Sequence, residues 1–137
     1  MNTESRNILQ ILGIRISADY REELATTKDV VIGAMFIEDD LISDNCILEN
    51  TLYKEDLNLL FFVKYHRLNN YNYFTVNFYD FASKTNFQFY REFPMLYLKE
   101  FTSENEILVY ISFKADVGNN FYFKLDEEDF YQVNNNN

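Results

Sequence analysis

The chain has 137 residues, with 22 acids against 12 bases and a net charge of −10. That length suits one domain with its own core, expected to span residues 1–137. One cysteine, one proline and three glycines exclude a disulfide framework, a cysteine-based zinc site, a collagen-like chain and a glycine-rich phosphate cradle. The acidic balance argues against direct binding to nucleic acid, whose readers carry basic surfaces.

Residues 3–12 read as a short helix, capped by Thr3 or Ser5, striped by Ile8, Leu9, Ile11 and Leu12, and stopped by Gly13. The same stretch is too short and interrupted for a signal peptide. A second helix is expected over 18–27, where Tyr20-Arg21-Glu22-Glu23-Leu24-Ala25 has helical composition.

From residue 30 the pattern becomes extended. Val30 to Ile37 is β-branched and apolar, Asp39-Asp40 breaks it, and Ile47 to Tyr53 pairs back. Leu57 to His66 forms a long strand, with Leu59, Phe61 and Val63 on one face and Leu60, Phe62, Lys64 and His66 on the other. Apolar residues on both faces predict a central strand, covered on two sides. Asn69 to Asn72 is turn chemistry. Tyr73 to Phe81 and Phe87 to Tyr90 alternate cleanly around the turn Ala82 to Thr85. Pro94 ends that strand or places it at an edge. Residues 95–101 carry no clear pattern. Glu106 to Lys114 and Asn120 to Leu125 predict a hairpin around Asp116-Val117-Gly118-Asn119. Asp126 to Val133 reads as a helical turn or two, acids at its N-terminal end, and Asn134 to Asn137 as a disordered tail.

The fold class implied is α+β: one or two N-terminal helices packed on an aromatic-rich antiparallel sheet of six to seven strands. A closed β-barrel is the alternative. No apolar run approaches the ~20 residues of a membrane span, and the lone Cys46 fits a reducing cytoplasm.

Candidate chemistry is sparse. His66 is the single histidine and reads as a strand-end surface residue beside a turn, with adjacent bases lowering its pKa. Cys46 sits among acids and an apolar neighbour, which raises a thiol pKa and disfavours a nucleophile. Asp39, Ser43 and Asn45 lack the spacing of a calcium loop. Motifs for dinucleotide, phosphate, zinc or serine-hydrolase sites are absent. No catalytic residue, metal ligand or cofactor is therefore nominated.

Two features remain. Tyr65, Tyr71, Tyr73, Tyr79, Tyr90, Tyr97, Tyr110 and Tyr122 fall mostly opposite the Phe positions of their strands. They form either a wet outer face or a binding face. The acids cluster in two segments: Glu38, Asp39 and Asp40, and Asp126, Glu127, Glu128 and Asp129, the latter followed by Phe130 and Tyr131 as apolar anchors. These nine residues are the candidate partner-binding set. The expected function is a non-enzymatic, acidic partner-binding protein of the inhibitor, antitoxin or immunity type. It would block a basic toxin, nuclease or other nucleic-acid-binding protein. A small-molecule domain with an aromatic-lined pocket is the alternative, and a carboxylate-based hydrolase the third reading.

Overall fold

Strong alternation and β-branched or aromatic content build strands, and the chain from residue 30 onward obeys both. A computed structural model describes residues 5–11, 13–24, 27–113, 120–124 and 126–133. Eleven strands follow in order: β1 (Ser5–Ile11), β2 (Ile14–Leu24), β3 (Thr27–Ile37), β4 (Asp40–Lys54), β5 (Leu59–Leu68), β6 (Tyr71–Asp80), β7 (Thr85–Phe89), β8 (Tyr97–Ser103), β9 (Glu106–Tyr110), β10 (Asn120–Lys124) and β11 (Phe130–Val133). They form an eight-stranded sheet, β1-β2-β3-β4-β5-β6-β7-β11, and a three-stranded sheet, β10-β9-β8. Every neighbouring pair is antiparallel.

The fold is therefore not α+β. Among the described residues there is no α-helix, only one 3-10 turn at Glu127–Asp129. Both expected N-terminal helices are strands, for one physical reason. Ile8 is an extra residue, because Asn7 pairs Ser17 while Leu9 pairs Ile16. Arg21 is extra in the same way between Tyr20–Gly33 and Glu22–Ile32. A bulge breaks the two-residue period, so apolar positions on either side of it mimic a helical stripe. Gly13 does take a left-handed φ of 81°, but at the tip of the hairpin that pairs Ile11 with Ile14. The closed-barrel alternative is also corrected: among the described residues the large sheet begins at β1 and ends at β11, with no pairing between them. The expected helix at 126–133 is the 3-10 turn followed by β11, and residues 95–101 fall largely in β8. The hairpin of β9 with β10 forms; its expected turn at 116–119 and the tail 134–137 lie outside the described residues.

β5 is the central strand and is covered on both sides. Phe61, Val63 and Tyr65 join Phe74, Val76 and Phe89 and the small sheet's Leu98, Ile107 and Val109 in one apolar cluster. Leu60 and Phe62 join Ile16, Met35, Ile42, Leu48 and Tyr79 in a second cluster on the opposite face. The large sheet covers that second face itself, by curling. Between Cys46–Lys64 and Thr51–Phe62, β4 advances five residues while β5 advances two, and this bend folds the first half of β4 back over β6 and β7. The Asn86 amide of β7 consequently donates to the Ile42 carbonyl of β4.

After β7 the chain stays beside β6 for one more contact. Phe74 and Phe93 exchange backbone hydrogen bonds of 2.8 and 2.9 Å, and Pro94, which has no donor, follows where pairing stops. From there the chain crosses to β8, which packs over β4 and β5.

Candidate functional site

The small sheet's Phe101 packs edge-on against Phe61 at 5.3 Å, and Leu59 follows at the same end of β5. A cleft of about 490 Å³ lies there, with Leu59 and Phe61 of β5, Phe78 of β6 and Phe87 of β7 as its floor. Phe130 walls it, and Leu57 and two carboxylates, Asp80 and Asp126, complete the lining. Phe78 is the hub. Its ring stacks on Phe87 at 4.9 Å and tilts against Phe61 at 5.1 Å and Phe130 at 5.0 Å. The register explains this: Phe61 pairs Phe78, and Phe78 pairs Phe87, across three adjacent strands. Phe130 arrives because the 3-10 turn delivers β11 onto β7, where Phe130 pairs Phe89.

Asp80 follows Phe78 by two residues, so both project to the same face. Its Oδ1 accepts a 2.9 Å hydrogen bond from the Ala82 amide, which fixes the carboxylate at the start of the β6–β7 turn. Among the described residues no ion pair engages Asp80 or Asp126.

The nominated acids divide. Glu38 and Asp39 form the β3–β4 turn and face Arg15, whose backbone amide donates to Glu38 Oε1 and whose Nη2 donates to Asp39 Oδ1, each at 3.1 Å. Such exposed pairs contribute little to stability but lower the local negative field. Asp40 follows them as the first residue of β4, paired with Ile37. Tyr79 has its hydroxyl pKa raised by burial and then by the charges of Asp40 and Asp80. Asp80 and Asp126 meet at one cleft although they lie far apart in sequence, whereas Asp40 acts on Tyr79, which packs on the opposite face of the sheet. Glu128 is exposed, and Asp129 is half-buried, its carbonyl accepting from the Tyr90 amide at 3.0 Å. The side chain of Glu127 lies outside the described set.

The two nominated anchors are placed differently from one another. Phe130 is a half-buried core ring packed on Phe61, Phe78 and Phe89. Tyr131 faces the other way, 48% exposed, and its hydroxyl accepts a 2.6 Å hydrogen bond from Gln88 Nε2. The tyrosines do not form one face either. Tyr65, Tyr79 and Tyr110 are buried, whereas Tyr71, Tyr90 and Tyr122 are exposed.

A polar line missed by sequence reasoning crosses the opposite face of the sheet. His66 Nε2 lies 2.9 Å from Thr75 Oγ1, Thr75 donates to Asn77 Oδ1 at 2.6 Å, and Asn77 Nδ2 donates to Gln88 Oε1 at 3.2 Å. With the threonine hydrogen directed at Asn77, His66 Nε2 must be the donor, which selects the Nε2–H tautomer. His66 is not the surface residue expected: it is half-buried and stacked on Tyr73, ring centres 4.5 Å apart. Burial first, and then the Lys64 charge, push its pKa down to about 4. Lys64 is buried beside Ser43, to whose hydroxyl it donates at 3.3 Å. Burial pushes the Cys46 thiol up to about 12, so this sulfur is protonated and inert at neutral pH.

Among the described residues no group of three or more His, Cys, Asp or Glu side chains is placed to hold a metal ion, and no helix is long and apolar enough to cross a membrane. No protein-family model, curated protein or solved structure matches the chain.

The cleft's missed residues carried one legible signal. Leu59, Phe61, Phe78 and Asp80 fall on one face by simple alternation. Phe87 and Phe130 required the strand order, which alternation does not give.

Proposed function

We propose that this is a non-enzymatic, acidic partner-binding protein of the inhibitor or immunity type, acting in the cytoplasm on a basic toxin, nuclease or other nucleic-acid-binding protein. One observation supports it most: Asp126, from the second acidic segment, lines an aromatic cleft together with Asp80. An apolar centre bordered by charge has the anatomy of a protein interface. A nuclease's substrate groove is positive because it holds phosphates, and an acidic plug exploits the same field.

The small-molecule reading has its own support, because about 490 Å³ falls within the ~300–1,000 Å³ of ligand pockets. Capture separates the two. The purified chain is immobilised, exposed to extract of its own source at low ionic strength, and compared with a variant carrying Asp40→Lys, Asp80→Lys and Asp126→Lys. The proposal expects one basic protein, retained in stoichiometric amount by the native chain and lost from the variant. Retention of nothing, or of the same proteins by both chains, rejects it.

A further inference from the structure

We propose that the cleft beneath Phe130 is the anchor pocket for a Lys or Arg of the basic partner, together with an apolar side chain beside it. This rests on the partner-binding reading and names the chemistry of its centre.

The walls determine the ligand class. Four phenylalanine rings and two leucines line the cleft, and its polar side chains are both carboxylates, Asp80 and Asp126. No described basic side chain lines it. An anionic ligand would meet two like charges and the negative faces of the rings. A neutral apolar ligand would fill the floor but leave the carboxylates unanswered. An ammonium or guanidinium on an apolar stem satisfies both parts: the stem lies on Phe78 and Phe87, and the head reaches the rim acids. Ring faces add to this, since a cation within about 6 Å of an aromatic centroid gains ~0.5–1 kcal/mol even at exposed sites. The protein already makes this contact internally: Lys54 Nζ lies 5.1 Å from the Phe101 ring, and the Arg91 guanidinium 4.3 Å from Phe121. The net charge of −10 favours a basic owner for that side chain. A volume of about 490 Å³ leaves room for a neighbouring apolar residue besides the basic one. Leu57, 58% exposed at the rim, is placed to meet it.

The test uses small probes, so that it stands apart from any partner. Acetyl-Phe-Lys-amide, acetyl-Phe-Gln-amide and acetyl-Phe-Glu-amide are titrated at low salt against the whole chain, reading phenylalanine ring signals by NMR. The lysine peptide is expected to bind at least tenfold more tightly than the glutamine peptide and to shift Phe78, Phe87 and Phe130. The glutamate peptide should not bind. The near-isosteric variants Asp80→Asn, which keeps the acceptor for the Ala82 amide, and Asp126→Asn should bring the lysine peptide to parity with glutamine. Equal binding of all three peptides, shifts outside the cleft, or a preference that survives both substitutions overturns the proposal. If the peptides discriminate as expected while capture from extract retains nothing, the cleft chemistry stands and the partner reading falls. If capture succeeds while the peptides do not discriminate, the partner binds without this anchor and the proposal falls.

Discussion

Asn50 holds Leu98 by both of its backbone groups: Nδ2 donates to the Leu98 carbonyl, and the Leu98 amide donates to Oδ1, each at 3.0 Å. One side chain thereby serves as the missing neighbour strand for β8, whose other side pairs with β9. Asn50 sits in the stretch where β4 outruns β5, so the bend that curls the large sheet is also the point where the small sheet is tied down. Replacing Asn50 with Ala leaves two buried backbone groups unanswered, at roughly 1–3 kcal/mol each. We expect Asn50→Ala to lose about 2–4 kcal/mol in urea unfolding. Asn50→Asp should also lose stability, because its carboxylate still accepts from the Leu98 amide but faces the Leu98 carbonyl with no hydrogen to offer. A loss under ~1 kcal/mol for the alanine variant would show that the sheets are joined by apolar packing alone.

Gly33 is required by space rather than by backbone angle. A Cβ there would stand 2.0 Å from the Asp19 carbonyl oxygen and 3.0 Å from Leu48 Cδ1. The first is backbone of the neighbouring strand and moves only if β2 and β3 part. Overpacking of this kind costs about 1–3 kcal/mol, so Gly33→Ala should lower the melting temperature by several degrees. Gly13 supplies the contrast, with φ 81° and nothing within 4 Å of an added Cβ. Its alanine variant should lose only the left-handed penalty of about 1 kcal/mol. Equal losses at the two sites would contradict the steric account.

These two glycines also show how far the sequence was legible. The central strands were readable because Leu59 to Val63 is an unbroken apolar run and Phe74 to Phe78 alternates, and β5 pairs β6 without a register shift. The N-terminal strands were not, because bulges at Ile8 and Arg21 reset the phase and local composition then imitates a helix. Long-range pairing overrides such weak local preference. At the site, Asp126 was visible within an acidic segment, but its meeting with Asp80 depends on the strand order that sets β11 beside β7. Phe130 follows the acids directly in sequence, and only its register with Phe89 shows which rings of the large sheet it packs on.

Turn chemistry offers a stabilising change. Asn58 and Asn69 adopt φ 56°, where asparagine is well tolerated, but Lys84 adopts φ 57° in the β6–β7 turn. A left-handed residue with an ordinary side chain costs roughly 1–2 kcal/mol. Lys84 is exposed, and its backbone amide donates to the Asp80 carbonyl at 2.7 Å, a bond that substitution keeps. Lys84→Asn should raise stability by about 0.5–1 kcal/mol, read as a higher urea midpoint at unchanged slope. A lower midpoint would mean that the lysine side chain stabilises this turn.

Acid should weaken the fold through His66. Its pKa falls to about 4 in the folded chain, against about 6.5 when unfolded. Between those values the unfolded state binds a proton that the folded state refuses, so stability is complete above pH ~6.5 and is lost as pH falls toward 4. Partial exposure limits the effect to on the order of 1–2 kcal/mol. His66→Gln keeps a donor for Thr75 and cannot titrate. Urea unfolding at pH 7 and pH 4.5 should show a smaller pH-dependent loss for this variant than for the native chain. Identical losses would place acid sensitivity in other groups.

Charge at the rim should govern the approach of a basic partner, and the apolar cleft its departure. Steered association can reach ~10⁸–10⁹ M⁻¹s⁻¹ at low salt, against ~10⁵–10⁶ without steering. Raising salt to ~0.15 M shortens the Debye length to about 8 Å and should slow association with a captured basic protein. Reversing Asp126 and Glu128, both exposed, to Lys should lower the on-rate more than it raises the off-rate, because exposed charges mainly guide encounter. The off-rate needs a different probe. Phe130 is a poor choice, since its packing on Phe61, Phe78 and Phe89 means that truncation also costs stability. Leu57 is exposed at the rim, so Leu57→Ala should leave the melting temperature unchanged and raise the off-rate several-fold. Surface plasmon resonance at two salt concentrations reads both quantities. An on-rate indifferent to salt and to charge reversal would mean that the acids serve solubility alone, and the case for an inhibitor of a basic protein would lose its electrostatic foundation.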